Sequence, residues 1–157
     1  MKILNLPITN NKTIPIDYQD IMGHMNVMWY THIFDVATFN FFNLFNFGAD
    51  YHTHSGNGSF AIEQHTRYLA EVRIGDSVTV HTRALGRGGK TVHFMHFMVN
   101  DANSILAATT ELVGIHIDLN IRRSSPLPET VTASFDKMLA THQSLDWEAP
   151  VCGAMGP

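Results

Sequence analysis

The sequence predicts an α+β fold, an antiparallel sheet wrapped around one long apolar helix, and three observations predict it. Residues 27–47 form an almost unbroken apolar and aromatic run without Pro or Gly. From about residue 59 the pattern changes to alternation with period two, the repeat of a strand rather than a helix. Short Gly- and Asp-containing turns join the strand-like segments, so successive strands run antiparallel. A greasy helix that needs cover and a sheet that can supply it make a layered arrangement.

The elements follow in order. A short strand opens the chain. Asn26 is placed to cap the long helix, because its side chain can accept a bond from an otherwise unpaired first-turn N–H. Gly48 follows the last apolar residue, as a helix C-terminus often requires. Such a helix of ~20 residues, apolar nearly all round, calls for burial on every side. "GADYHTHSGNGS" reads as a loop, and "SFAIEQHTRYL" (59–69) begins the second strand. "RIGD" (73–76) is a turn, after which "SVTVHTRAL" (77–85) sets Val78, Val80, Thr82 and Ala84 on one face. Thr79, His81 and Arg83 take the other face. "GRGG" (86–89) is a hairpin signal, and strands at 90–100 and 104–119 are joined by "DAN". A last helix starts near Pro128, a residue suited to a first turn, and runs to about His142. Residues 1–143 read as one domain and 144–157 as a loose tail, since nothing resembling a linker or a repeat divides the chain.

Composition narrows the function. The 157 residues carry a formal net charge of −4, and the ten Lys and Arg are scattered, which argues against a nucleic-acid surface. The long apolar run is interrupted by Thr31, His32, Asp35, Asn40, Asn43 and Asn46, too many polar groups for a lipid-facing span. No secretory signal is visible near the N-terminus. Cys152 is the only cysteine, so no intrachain disulfide forms, and it reads as a spare surface thiol. The expectation is a soluble cytoplasmic protein without a nucleic-acid or membrane partner.

The chemistry concentrates in "DYQDIMGHMNVMWY" (17–30). This stretch resembles the signature of hot-dog-fold acyl-CoA thioesterases of the 4-hydroxybenzoyl-CoA thioesterase type. Their pattern is an Asp, two residues, Gly-His, a hydrophobe, an Asn, then a Tyr on the following helix. Asp20, Gly23, His24, Asn26 and Tyr30 occupy those places. A second Asp two residues before the first, common in the family, is Tyr18 here, with Asp17 shifted by one. "RYLAEVRIGDSVTV" is similar to the family's tyrosine-containing strand and Gly-Asp turn, and "IHIDLNIRRSSPLPE" to its last strand and the start of its terminal helix. "SFAIEQHTRYLAEV" and "KTVHFMHF" resemble more particularly the branch containing betainyl-CoA thioesterases.

The resemblance implies a hot-dog fold and hydrolysis of a small or medium acyl-CoA thioester to the free acid and CoA. A thioester carbonyl under attack gathers negative charge on oxygen, which the free N–H groups and dipole of a helix start can stabilise. The Val27 N–H is the oxyanion donor of choice. Asp20 acts as general base toward water or as nucleophile through a mixed anhydride; the sequence leaves both open. His24 holds either the loop or the thioester, and Gly23 supplies a backbone angle or room for substrate. Glu63, from the first long strand, is a second carboxylate candidate. Trp29 and Tyr30 are candidate acyl-pocket rings, suited through cation–π attraction to a trimethylammonium group such as that of betainyl-CoA, and equally to an aromatic or medium-chain acyl group. Arg87 and Lys90, or Arg122 and Arg123, are candidate partners of the CoA phosphates.

No cofactor is expected, CoA being part of the substrate. Nor is a metal: His93 and His96 form an HxxH on a strand, where that spacing sends the rings to opposite faces, and one cysteine makes no thiolate cluster. The resemblance further implies a homodimer whose sheets join edge to edge with active sites at the interface, and often a tetramer. Two other readings compete: a hot-dog hydratase, and a non-catalytic acyl-CoA or acyl-carrier binding module.

Overall fold

A computed structural model describes residues 2–157. The named elements are β1 (Ile8–Thr13), α1 (Val27–Asn43), α2 (Ala49–Ser55), β2 (Asn57–Tyr68), β3 (Ser77–Arg87), β4 (Thr91–Asn100), β5 (Ile105–Asp118), β6 (Arg123–Ser124) and α3 (Glu129–Gln143). The sheet runs in the order β1-β3-β4-β5-β2, with the short β6 pairing antiparallel to β5. The strands and turns stand where periodicity and turn chemistry put them. Among the described residues no helix is long and apolar enough to cross a membrane.

The chain packs as two compact units. The first comprises residues 1–38, 66–82 and 96–110. Its core gathers Tyr30, Ile33, Phe34 and Ala37 from the front of α1 with Val78, Val80, Met98 and Ala107 from strands. In it β1 pairs antiparallel with β3, with a bulge between Ile8 and Asn10. The extra residue there is Thr9, whose hydroxyl is buried beside Thr82 at 2.7 Å. Thr82 lies 2.6 Å from His96 Nδ1, and His96 Nε2 lies 2.9 Å from the Thr38 hydroxyl. The Thr38 hydroxyl proton goes to the Phe34 carbonyl, so His96 donates to Thr38 and accepts from Thr82. That arrangement needs a neutral imidazole. Complete burial agrees, pushing the His96 pKa down to about 3.

The second unit comprises residues 39–65, 83–95 and 111–157. Its core is aromatic: Phe41, Phe42, Phe45, Phe47, Phe94 and Phe135, closed by Leu127 and Val131 at the start of α3. The Phe45 and Phe135 rings meet edge to face with centroids 5.0 Å apart.

Four differences from the sequence reading have physical causes. The long helix stops at Asn43, not at Gly48. Asn46 takes the left-handed conformation at φ 62° and the Phe47 N–H reaches back to the Phe42 carbonyl at 3.0 Å, a Schellman stop that asparagine tolerates. Gly48 instead precedes α2, in what reads as loop, and a Cβ there would fall 1.6 Å from the Asn43 side-chain oxygen. Second, α1 is not covered on every side, since Val27, Met28, Val36 and Phe39 are exposed. Third, the alternation in β3 does not separate inside from outside: His81 and Arg83 are buried as well. His81 Nδ1 meets the Leu6 carbonyl at 3.1 Å in the first unit. In the second, Arg83 donates to the carbonyls of Trp147 and His142, with its guanidinium 4.3 Å from the Trp147 ring centre. Fourth, the tail is therefore tied in rather than loose, and the Cys152 N–H adds a 2.7 Å bond to the Glu111 carboxylate.

Candidate active site

The Asp20 loop is a tight hairpin. Gln19 and Met25 form an isolated antiparallel bridge, the Asp20 N–H bonds the His24 carbonyl at 3.0 Å, and the Gly23 N–H bonds the Asp20 carbonyl at 3.2 Å. Closing it needs a left-handed residue at Gly23, φ 89°. A Cβ there would approach nothing nearer than 3.8 Å, so the angle and not crowding calls for glycine. Two strand-like bonds, Asn26 N–H to Tyr18 at 2.9 Å and Met25 N–H to Val72 at 2.8 Å, fix the exit of the loop onto α1.

Within that loop the Asp20 side chain is 12% exposed. Its Oδ1 accepts the Met22 N–H at 2.8 Å, an Asx turn that fixes the carboxylate. Its Oδ2 lies 3.6 Å from His24 Nδ1. The same His24 nitrogen stands 3.3 Å from the Met25 carbonyl, so the ring is held between loop backbone and carboxylate. Asn26 caps α1, its Oδ1 accepting the Met28 N–H at 2.9 Å. The Trp29 N–H bonds the Asn26 carbonyl at 3.0 Å. The Val27 N–H has no acceptor among the described residues. It is the donor of the helix start left free for another oxygen.

Asp20, His24, Asn26 and Val27 line one cleft of about 530 Å³, together with Met22, Met25, Tyr30, Tyr68, Leu69, Ala70 and Glu71. Tyr30 is buried and meets Tyr68 edge on, with ring centroids 5.1 Å apart. Burial raises the pKa of the Tyr30 phenol against the opposing effect of a Val72 backbone hydrogen bond, which keeps the hydroxyl protonated. The Glu71 carboxylate pairs with Arg73. Asp20, the helix-start residue Val27 and the Tyr30 and Tyr68 rings thus line one space, residue types that can polarise a carbonyl and deliver water to it.

The other sequence candidates stand elsewhere. Trp29 is not part of the cleft lining: its ring stacks flat on Tyr18 at 3.7 Å, at the edge of the core. One residue along a helix turns a side chain by about 100°, so Trp29 and Tyr30 cannot both face the same wall. Tyr18, which stands where the family commonly has a second Asp, is thereby a packing residue. Glu63 is exposed on β2 in the second unit and is absent from the cleft lining. Arg87 is spoken for, its Nε and Nη2 bonding both oxygens of Asp136 at 2.5 and 2.6 Å. Lys90 makes long contacts of 3.4 and 3.3 Å to the Ser124 carbonyl and hydroxyl. Arg122 sits in a turn at φ 51° with its guanidinium 5.9 Å from the Phe60 ring centre, and Arg123 is exposed in β6. All four cations belong to the second unit.

Sequence reasoning gave no site role to Glu71 or Tyr68, both of which line the cleft. "RYLAEV" carried a signal: a tyrosine and a carboxylate three residues apart at a strand end. Without a partner element the sequence could not say that the helix start would be there.

Comparison with known proteins points to one family. Residues 14–135 match the family model of the Thioesterase-like superfamily. An L-carnitine dehydrogenase/betainyl-CoA thioesterase from Ruegeria pomeroyi is 32% identical over 127 residues, covering 80% of this chain and 26% of its own length. The chain thus spans about a quarter of the length of such relatives. A betainyl-CoA thioesterase from Pseudomonas aeruginosa is 27% identical over 129 residues, covering 82% of this chain and 81% of its own. A Staphylococcus aureus protein solved in complex with CoA superimposes with a TM-score of 0.82 at 22% identity, covering 91% of this chain and 90% of that one. The fold is the hot-dog fold, as the sequence led one to expect. With a family model matched from Ile14 to Phe135, the chain belongs to the Thioesterase-like superfamily.

Proposed function

We propose that this chain hydrolyses an acyl-CoA thioester to the free acid and CoA. The observation that carries the reading is the pairing, in one cleft, of the Asp20 carboxylate with the unoccupied Val27 N–H. Water attacks the thioester carbonyl as Asp20 takes its proton, or Asp20 attacks directly and water then cleaves the mixed anhydride. The oxygen of the tetrahedral intermediate accepts from Val27 N–H, the C–S bond breaks, and the CoA sulfur leaves with a proton. His24 steadies the carboxylate. No cofactor enters either route.

The acyl group favoured by the cleft is small and cationic. Tyr30 and Tyr68 offer their rings to the cleft, and the Glu71 carboxylate, paired with Arg73, stands at the same wall. Two relatives carry betainyl-CoA thioesterase in their names, and a trimethylammonium acyl group matches that wall. The working unit is a homodimer. β2 is an edge strand with Phe60 and Ile62 exposed on it, an edge that a second copy would cover. The free Cys152 thiol suits the reducing cytoplasm.

Thiol release from a panel of acyl-CoAs tests the activity. Betainyl-CoA should turn over faster than a neutral acyl-CoA of equal size, and Glu71→Gln with Tyr68→Ala should narrow the gap by tenfold or more. Absence of thiol from every acyl-CoA would leave the binding-module reading in its place.

A further inference from the structure

We propose that His65, Glu111 and Cys152 form a binding site for a divalent metal ion of the zinc class that fastens the C-terminal tail to the sheet. The three residues come from β2, β5 and the tail, all within the second unit. One ring nitrogen, one carboxylate oxygen and one sulfur lie within 4.8 Å of one another. Nothing in the sequence announces the group, because its members are far apart along the chain and share no spacing motif.

The donor chemistry selects the ion. Imidazole, carboxylate and thiolate are the ligands that zinc accepts, and they do not suit the oxygen-only preference of calcium or magnesium. A tetrahedral site with bonds of about 2.0–2.3 Å needs its donors roughly 3.5 Å apart, so a closure of about 1 Å completes it. His65 and Cys152 can supply that movement by rotation of short side chains. Three protein ligands leave a fourth position for water.

Glu111 is the strongest sign of purpose. Its side chain is fully buried, where a carboxylate is costly unless it meets donors or a cation. His93 Nε2 lies 2.8 Å from Oε1 and the Cys152 N–H 2.7 Å from Oε2. Each oxygen accepts from one of these donors and retains a second lone pair. The His93 bond also orients the carboxylate as an outer partner orients a metal ligand. The His65 ring makes no hydrogen bond to another described residue, so its free nitrogen is available. On binding, the Cys152 thiol loses its proton to solvent. Thiolate and carboxylate then balance the double charge of the ion, and the imidazole stays neutral.

The site lies outside the Asp20 cleft, so its test is separate from any hydrolysis assay. Full-length protein stripped with chelator is titrated with Co²⁺ and Zn²⁺. The expected result is one equivalent bound, a thiolate-to-cobalt charge-transfer band displaced by Zn²⁺, and at least tenfold slower labelling of Cys152 by a disulfide reagent when Zn²⁺ is present. Cys152→Ser should abolish the band. Both Cys152→Ser and His65→Ala should weaken Zn²⁺ binding tenfold or more, with the metal-free melting temperature of His65→Ala unchanged. Sub-stoichiometric binding, unaltered affinity in both variants, or no protection of the thiol overturns the proposal.

Discussion

His24 Nδ1 stands 3.6 Å from Asp20 Oδ2 across a four-residue turn, while the other Asp20 oxygen is fastened by the Met22 N–H at 2.8 Å. One oxygen thus anchors the loop, and the other faces the imidazole at the mouth of the cleft. This division of labour predicts that two substitutions at one position will differ. Asp20→Asn keeps an acceptor for Met22 and should fold normally, yet lose about 10²-fold or more in kcat. Asp20→Ala should lose the activity and also about 1 kcal/mol of stability. Steady-state kinetics and urea melts on both proteins check this; near-wild-type turnover in either would remove Asp20 from the chemistry.

The choice between base and nucleophile has its own readout. A single turnover in H₂¹⁸O puts label into the Asp20 carboxylate only if an anhydride on that residue is cleaved at the enzyme carbonyl. Label confined to the released acid after the first turnover excludes anhydride cleavage at the enzyme carbonyl, and trapping of the acylated Asp20 by hydroxylamine then separates the general-base route from anhydride cleavage at the acyl carbonyl.

The oxyanion role proposed for Val27 belongs to its backbone, so side-chain changes such as Val27→Ala should leave kcat nearly intact. Val27→Pro is the informative variant. Proline is well tolerated at the first position of a helix, where it needs no hydrogen bond, and it favours the extended conformation that a cap residue adopts. It removes the amide proposed to hold the oxyanion. We expect a fall of about 10²–10³ in kcat with a melting temperature close to the parent's.

The buried His96 makes stability depend on pH. Its native pKa is depressed to about 3 by burial, below an unfolded value near 6.5. Between these values the unfolded chain binds a proton that the native one refuses. Stability is therefore complete above about pH 6.5 and declines as pH falls toward about 3, with a contribution of at most about 1.4 kcal/mol per pH unit. His142 and His52, also depressed chiefly by burial, act in the same direction. Urea midpoints from pH 7 to 4 should fall. In native protein the His96 ring resonances should not titrate above pH 4.

At Gly48 a methyl group would collide with the Asn43 side chain, 1.6 Å from its oxygen. Gly48→Ala should destabilise by about 1–3 kcal/mol. The double variant Gly48→Ala/Asn43→Ala should recover much of that loss, measured by thermal melts.

Much of this molecule was fixed by local chemistry that a sequence carries on its surface. Period-two alternation and Gly-Asp turns set the strands, Asn26 set the start of α1, and Gly23 set the angle of the Asp20 loop, because each depends only on neighbours in the chain. Which ring of the Trp29/Tyr30 pair faces the cleft, and that Arg83, Glu111 and His96 are buried, were decided by the tertiary structure. Those outcomes hinge on partners dozens of residues away: the Asp136 that occupies Arg87, the tail that covers Arg83, the bulged Thr9 that completes the His96 chain. A residue's own chemistry names what it can do, and only packing supplies the neighbour that lets it.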